Sequence, residues 1–187
     1  MPAKVKITKE AIVKSATELI RKKGEKGINA RAIASALKCS TQPIFSNFAT
    51  MDELMRAVIA YAYEKYLEFL NKEAEENQYS KYKSFGMAYI RFAKEEKELF
   101  KLLFMRDRKG EELIPSDDFN LSVETIMSTN NLPKETATLI HWEMWICVHG
   151  IATMFATSFL SIEWEFISKI LSDMYQGIMI KYLPKEK

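Results

Sequence analysis

Apolar residues recur along this chain at three- and four-residue steps, the spacing of amphipathic helices. Ala11, Ile12, Ser15, Ala16, Leu19 and Ile20 mark a first helix over about 9–23. Thr8 is its cap and Ile7 staples onto Ile12. Gly24 and Gly27 bracket its end, behind Arg21, Lys22 and Lys23, cations that suit the last turn. A short helix over about 30–37 follows, capped by Asn29, with Ile33, Ala34 and Leu37 on one face. Lys38-Cys39-Ser40 breaks it. A second short helix starts near Thr41, with Ser40 or Thr41 as cap and Pro43 in the first turn, where a missing N–H costs little. Ile44 and Phe48 then face inward, leaving Thr41, Gln42, Ser46 and Asn47 outside. Thr50 and Glu53 form a capping box. It opens a long helix over about 51–76, in which Leu54, Ala57, Val58, Tyr61, Ala62 and Tyr66 or Leu67 keep helical spacing.

The second half predicts a helix over 79–93 carrying Tyr82, Phe85, Met87, Tyr89 and Phe92, then a short one over 97–105. After a turn or loop at Arg106–Glu112, Asp117 or Asp118 caps a helix through about Thr129, and Asn130-Asn131-Leu132-Pro133 breaks it. A long helix over about 133–160 and a last one over about 163–181 complete an all-α chain. The last carries Phe166, Ile167, Ile170, Leu171, Met174 and Ile178 at helical steps. Met144 to Ile162 is a run of 19 residues without Asp, Glu, Lys or Arg, long enough for a membrane span. It also holds His149, two Thr and two Ser, and lacks a basic flank. The expectation is therefore no membrane but burial on two faces, one on the chain's own core and one on a second subunit. Gly177 would permit close approach of a neighbour, and the last two helices with their copies would form a four-helix homodimer interface.

The 187 residues are 48% hydrophobic with only 6 Gly and 5 Pro, which fits long helices, short loops and a sizeable core. Cys39 and Cys147 lie far apart, in no disulfide framework or CxxC spacing, and no apolar signal core opens the chain. The expected compartment is the cytoplasm. The net charge of +2 hides an asymmetry: residues 1–48 carry +7 and the remainder −5. A basic head on an acidic body is the electrostatic footprint of a modular nucleic-acid binder. The excess sits on the two short helices. A helix with an apolar back and an amide- and hydroxyl-bearing front fits the major groove of duplex DNA, where such groups pair with base edges.

Helix, then helix-turn-helix ending in an aromatic-x-x-Phe step, then a Thr-x-x-Glu-Leu helix start: residues Ala11 to Val58 in this order resemble the TetR family of transcriptional regulators. The segment Trp145-Ile146-Cys147-Val148-His149-Gly150 resembles a Trp-His-Gly signature in the C-terminal domain of one subgroup. The resemblance implies a helix-turn-helix DNA-binding domain, 1–50, and a larger helical ligand-binding and dimerisation domain, 51–187, joined by helix 51–76. It implies a homodimer placing two recognition helices in successive major grooves of a palindromic operator, and a ligand whose binding releases DNA. Three positions depart from the family pattern. Lys38 stands where Gly is common in the turn, and a positive φ there would strain it. Phe45 stands where a Tyr hydroxyl commonly bonds phosphate. Met51 stands where Lys often opens the fourth helix.

On this reading Gln42 reads a base, adenine for preference, with Thr41 and Asn47 beside it. Lys4, Lys6, Lys26 and Arg31 neutralise phosphates, and Asn29, Ser40, Phe45 and Ser46 complete the candidate DNA-binding surface. In the body, Tyr89, Phe92, Phe104, Trp142, Trp145 and His149 are candidates to line a pocket between the fifth, seventh and eighth helices. Ordinary core packing is the competing reading of each. Few charges lie among them, so a small apolar or aromatic ligand is expected, with Arg91 or Glu143 as a polar anchor. His141 and His149 are eight residues apart rather than paired at i, i+4, so no metal site is expected. No catalytic constellation or phosphate loop is legible, so the chain is read as a non-enzyme without a cofactor. The alternative function is a helical protein-interaction module, but such a module has no need of a concentrated basic head.

Overall fold

The computed structural model describes residues 7–107, 109 and 116–182. The structure is all-helical over these residues: α1 (Lys9–Lys23), a 3-10 turn (Glu25–Gly27), α2 (Ala30–Ala36), α3 (Gln42–Asn47), α4 (Met51–Glu75), α5 (Lys81–Glu95), α6 (Lys97–Phe104), α7 (Asp117–Asn130), α8 (Lys134–Ala156) and α9 (Trp164–Tyr182). The chain divides into two compact units. The first runs through Leu67 and takes up Glu96–Arg106; the second comprises Glu68–Glu95 and the chain from Asp107 onward. The division thus falls inside α4, later than the boundary at 50/51 read from sequence, and α6 belongs to the first unit.

In the first unit, Ile12, Ala16 and Ile20 of α1, Ile33 of α2, Ile44 of α3, and Leu54 and Val58 of α4 are buried together with Leu99 and Phe100 of α6. The helix ends follow local chemistry. Thr8 Oγ1 accepts from the Ala11 N–H at 3.2 Å and Asn29 Oδ1 from the Ala32 N–H at 2.9 Å. Thr50 Oγ1 takes the Glu53 N–H at 3.1 Å, while the Glu53 carboxylate reaches back to the Ala49 N–H at 2.7 Å, one residue beyond the usual capping-box donor. A two-pronged ion pair ties α6 to α1: Arg21 donates to both oxygens of Glu96 at 2.8 and 2.7 Å, and Glu18 receives its remaining nitrogen.

In the second unit α5 packs along α8, with α7 and α9 against them. A Cβ at Gly86 would lie 3.3 Å from both Val148 and Leu171, so a glycine lets α5 approach α8 and α9 this closely. Val123, Ile126, Ala137, Ile140 and Met179 form one buried cluster, flanked by Tyr82, Phe119 and Tyr175. Glu73, almost fully buried, is neutralised by Arg91 at 2.7 and 3.2 Å, as a buried carboxylate requires. No helix among the described residues is long and apolar enough to cross a membrane.

Three local expectations need correction. No side chain caps α3; Thr41 occupies the cap position in an αR conformation, so its hydroxyl does not reach the orphan amides. Ser116, rather than Asp117 or Asp118, holds the cap position of α7, and both aspartates lie in its first turn. Helix α8 ends at Ala156, short of residue 160, and the chain turns through Ser158 at φ 57°.

Candidate nucleic-acid interface and aromatic body

Helices α2 and α3 are joined by a Schellman turn. The Cys39 N–H bonds Ala34 O at 2.9 Å and the Lys38 N–H bonds Ser35 O at 3.1 Å, with Lys38 left-handed at φ 53°. This is the conformation glycine adopts without cost, so the side chain of Lys38 carries real backbone strain. Ile44 and Phe48 are buried, as their spacing requires, and anchor α3 from behind. Gln42, Phe45 and Ser46 are exposed and Thr41 is half-buried.

Two of the polar groups on this front are already spent. Ser46 Oγ donates to Gln42 O at 2.9 Å. Asn47 is half-buried and its amide nitrogen donates to Pro43 O at 2.7 Å and Ile7 O at 3.4 Å. The outward-pointing Asn47 expected from sequence is therefore corrected: a short polar side chain near a helix end finds the backbone before it finds solvent. Gln42 makes no such bond among the described residues and keeps both its donor and its acceptor for another molecule. Asn29, Arg31, Lys26 and Ser40 are exposed around the turn. Asn29 is committed in part to capping α2. Lys26, with Lys23, Lys101 and Arg106, lines a groove of about 330 Å³ between the end of α1 and α6. Lys4 and Lys6 lie outside the described residues.

In the body, the two histidines each pair with a tyrosine of α5. Tyr82 Oη lies 3.0 Å from His141 Nδ1, and Tyr89 Oη 2.8 Å from His149 Nδ1. Trp145 stacks on the His149 ring at 4.8 Å, Trp142 meets Trp145 edge-on at 5.6 Å, and Phe119 meets both His141 and Trp142, at 4.6 and 5.2 Å. Burial pushes both tyrosine hydroxyls above their ordinary pKa and pulls both histidines below theirs, His141 to about 4. Both rings are therefore neutral near pH 7 and serve as hydrogen-bonding members of an aromatic wall.

Tyr89 of α5 and Trp145 and His149 of α8 are thus brought together, while Trp142 joins them only through Trp145 and is itself largely exposed. Phe92 is fully buried against Phe69 at 5.3 Å, which is core packing. Phe104 is the displaced member. It sits on α6 in the first unit, against Tyr66 and Phe100 at 5.3 and 5.2 Å, because α6 packs on α1 rather than in the body. Both suggested polar anchors are engaged: Arg91 by Glu73, with the Trp164 ring 4.4 Å below it, and Glu143 by the Tyr182 hydroxyl at 3.0 Å. Sequence reasoning passed over Tyr82, Phe119 and His141 as wall members; the repeat of Tyr at 82 and 89 on one helical face was the available signal. Among the described residues no three His, Cys, Asp or Glu side chains gather as a metal site.

Residues 82–165 match the family described as tetracyclin repressor-like, C-terminal domain. No curated protein matches the chain. Among solved structures, the chain is similar to a TetR-like transcriptional regulator from Rhodococcus sp. RHA1, at 17% identity over 94% of this chain and 96% of that one, with a TM-score of 0.68. It is similar to a TetR family member from Streptomyces coelicolor A3, at 17% identity over 88% and 96% of the two chains, TM-score 0.63. It also resembles the multidrug binding protein EbrR in complex with malachite green, at 15% identity over 89% and 96%, TM-score 0.60. At such identities the likeness establishes a shared fold.

Proposed function

We propose that the chain is a TetR-type, DNA-binding transcriptional regulator whose α3 enters the major groove, a reading supported by the match of residues 82–165 and by the shared fold. The observation that carries this is Gln42: exposed at the start of α3, unspent in hydrogen bonding, and set on an apolar back fixed by Ile44 and Phe48. A glutamine so placed pairs bidentately with adenine. Lys4, Lys6, Lys26 and Arg31 supply charge toward phosphates, and the +7 excess over residues 1–48 supports that role.

The regulator acts as a homodimer through α8 and α9. Leu139, Trp142 and Ile146 of α8 and Phe166, Met174 and Ile180 of α9 are large apolar side chains left exposed on a single chain. Gly150 and Gly177 continue the two stripes, and a Cβ at either would meet nothing within 4 Å. Two apolar stripes flanking bare glycines suit close packing against a second copy. The wall of Tyr89, Trp142, Trp145 and His149 supports a small apolar or aromatic ligand in the body; EbrR, of the same fold, is described as binding malachite green. Ligand binding would release DNA, making the protein a repressor. Selection of bound duplexes from a random pool tests the proposal. Enrichment of a palindromic sequence is expected, and a pool left unenriched at low salt overturns it.

A further inference from the structure

Several half-buried cations among the described residues pair with carboxylates: Arg21 with Glu96, Arg91 with Glu73, and Lys101 with Glu98. Lys83 does not. Its ammonium lies 2.7 Å from Ser168 Oγ and 2.8 Å from Ser172 Oγ, on successive turns of α9, with the Tyr79 ring centre 5.0 Å away. No carboxylate lies within ion-pair distance of it among the described residues. Burial holds its pKa below that of an ordinary lysine, the mark of a charge that has lost water without gaining a counter-charge.

The direction of the hydrogen bonds matters. An ammonium only donates, so both serine oxygens accept from it. Each hydroxyl therefore keeps its own proton, and neither makes another hydrogen bond among the described residues. One ammonium N–H also remains. Three donors around one positive charge are what an oxyanion needs. We infer that Lys83, Ser168 and Ser172 form a binding site for a small oxyanion, a carboxylate or a phosphate group, between α5 and α9. The anion supplies the counter-charge that the fold omits. This site is separate from the DNA-facing helices and stands whether or not the head reads DNA.

Titration of the ¹⁵N-labelled protein with sodium benzoate, and separately with inorganic phosphate, tests the inference. Saturable amide shifts confined to residues around 80–84 and 168–172 are expected with at least one of the two, and the responding probe tells carboxylate from phosphate. Lys83→Met should abolish the response, and Ser168→Ala with Ser172→Ala should weaken it by about tenfold, the loss of charge-assisted bonds. Circular dichroism and melting identify any variant that fails to fold, and the serine pair then carries the test alone. No saturable shift with either anion, or undiminished binding in a folded variant, overturns the site.

Discussion

His141 sets a pH limit on the stability of the body. Its ring is buried between Tyr82 and Phe119, and burial lowers its pKa from the ordinary 6.5 to about 4, with Asp118 pulling partly the other way. In the unfolded chain the imidazole returns to its ordinary value. Between these two values the unfolded state binds a proton that the folded state refuses, so stability present above about pH 6.5 is lost as the pH falls toward 4. At about 1.4 kcal/mol per pH unit the full gap is worth roughly 3 kcal/mol. That is a large part of a typical domain's net stability. The perturbation is His141→Gln, which keeps an acceptor for Tyr82 and removes the titration. Urea unfolding of both proteins at about pH 7.5 and about pH 4.5, at one protein concentration because association shifts stability, isolates the effect. The wild type should lose about 2–3 kcal/mol more than the variant on acidification. His149 and the carboxylates titrate in both proteins and cancel. Equal losses in the two proteins would refute the reasoning.

Three further outcomes are expected. Lys38→Gly should raise stability by about 1 kcal/mol in the same unfolding assay, because it relieves a left-handed lysine; a loss would mean the side chain is held by something favourable. Phe45→Tyr should tighten binding to every duplex alike by about 1 kcal/mol in fluorescence anisotropy, through a new phosphate hydrogen bond; a gain for some sequences only would place Phe45 over bases instead. Ile146→Asp, on the exposed stripe of α8, should shift sedimentation at micromolar protein to a single chain while circular dichroism stays unchanged; a persistent dimer would put the interface elsewhere.

The head was legible in the sequence because its signals are local. Thr8, Asn29 and Thr50 cap the helices they precede, Pro43 sits in a first turn, and Ile44 and Phe48 repeat at one turn. The strain at Lys38 was legible too, since a turn residue with a Cβ is costly wherever φ is positive. What escaped was set by partners distant in the chain. The place of α6, and with it Phe104, depends on Glu96 meeting Arg21 across 75 positions. The Tyr–His pairs depend on α5 lying along α8, which no spacing within either helix reveals. Asn47 failed for the opposite reason: its partner Pro43 O is four residues away, but a side chain's choice between backbone and solvent is not written in its periodicity.

The claim that α3 reads the major groove is tested most directly by comparing wild type and Gln42→Ala across all single-base variants of a selected duplex, at two salt concentrations. The account predicts that the variant loses about 1–3 kcal/mol of discrimination at one position in each half-site while its salt dependence is unchanged. A base-preference profile identical to the wild type at every position would contradict it.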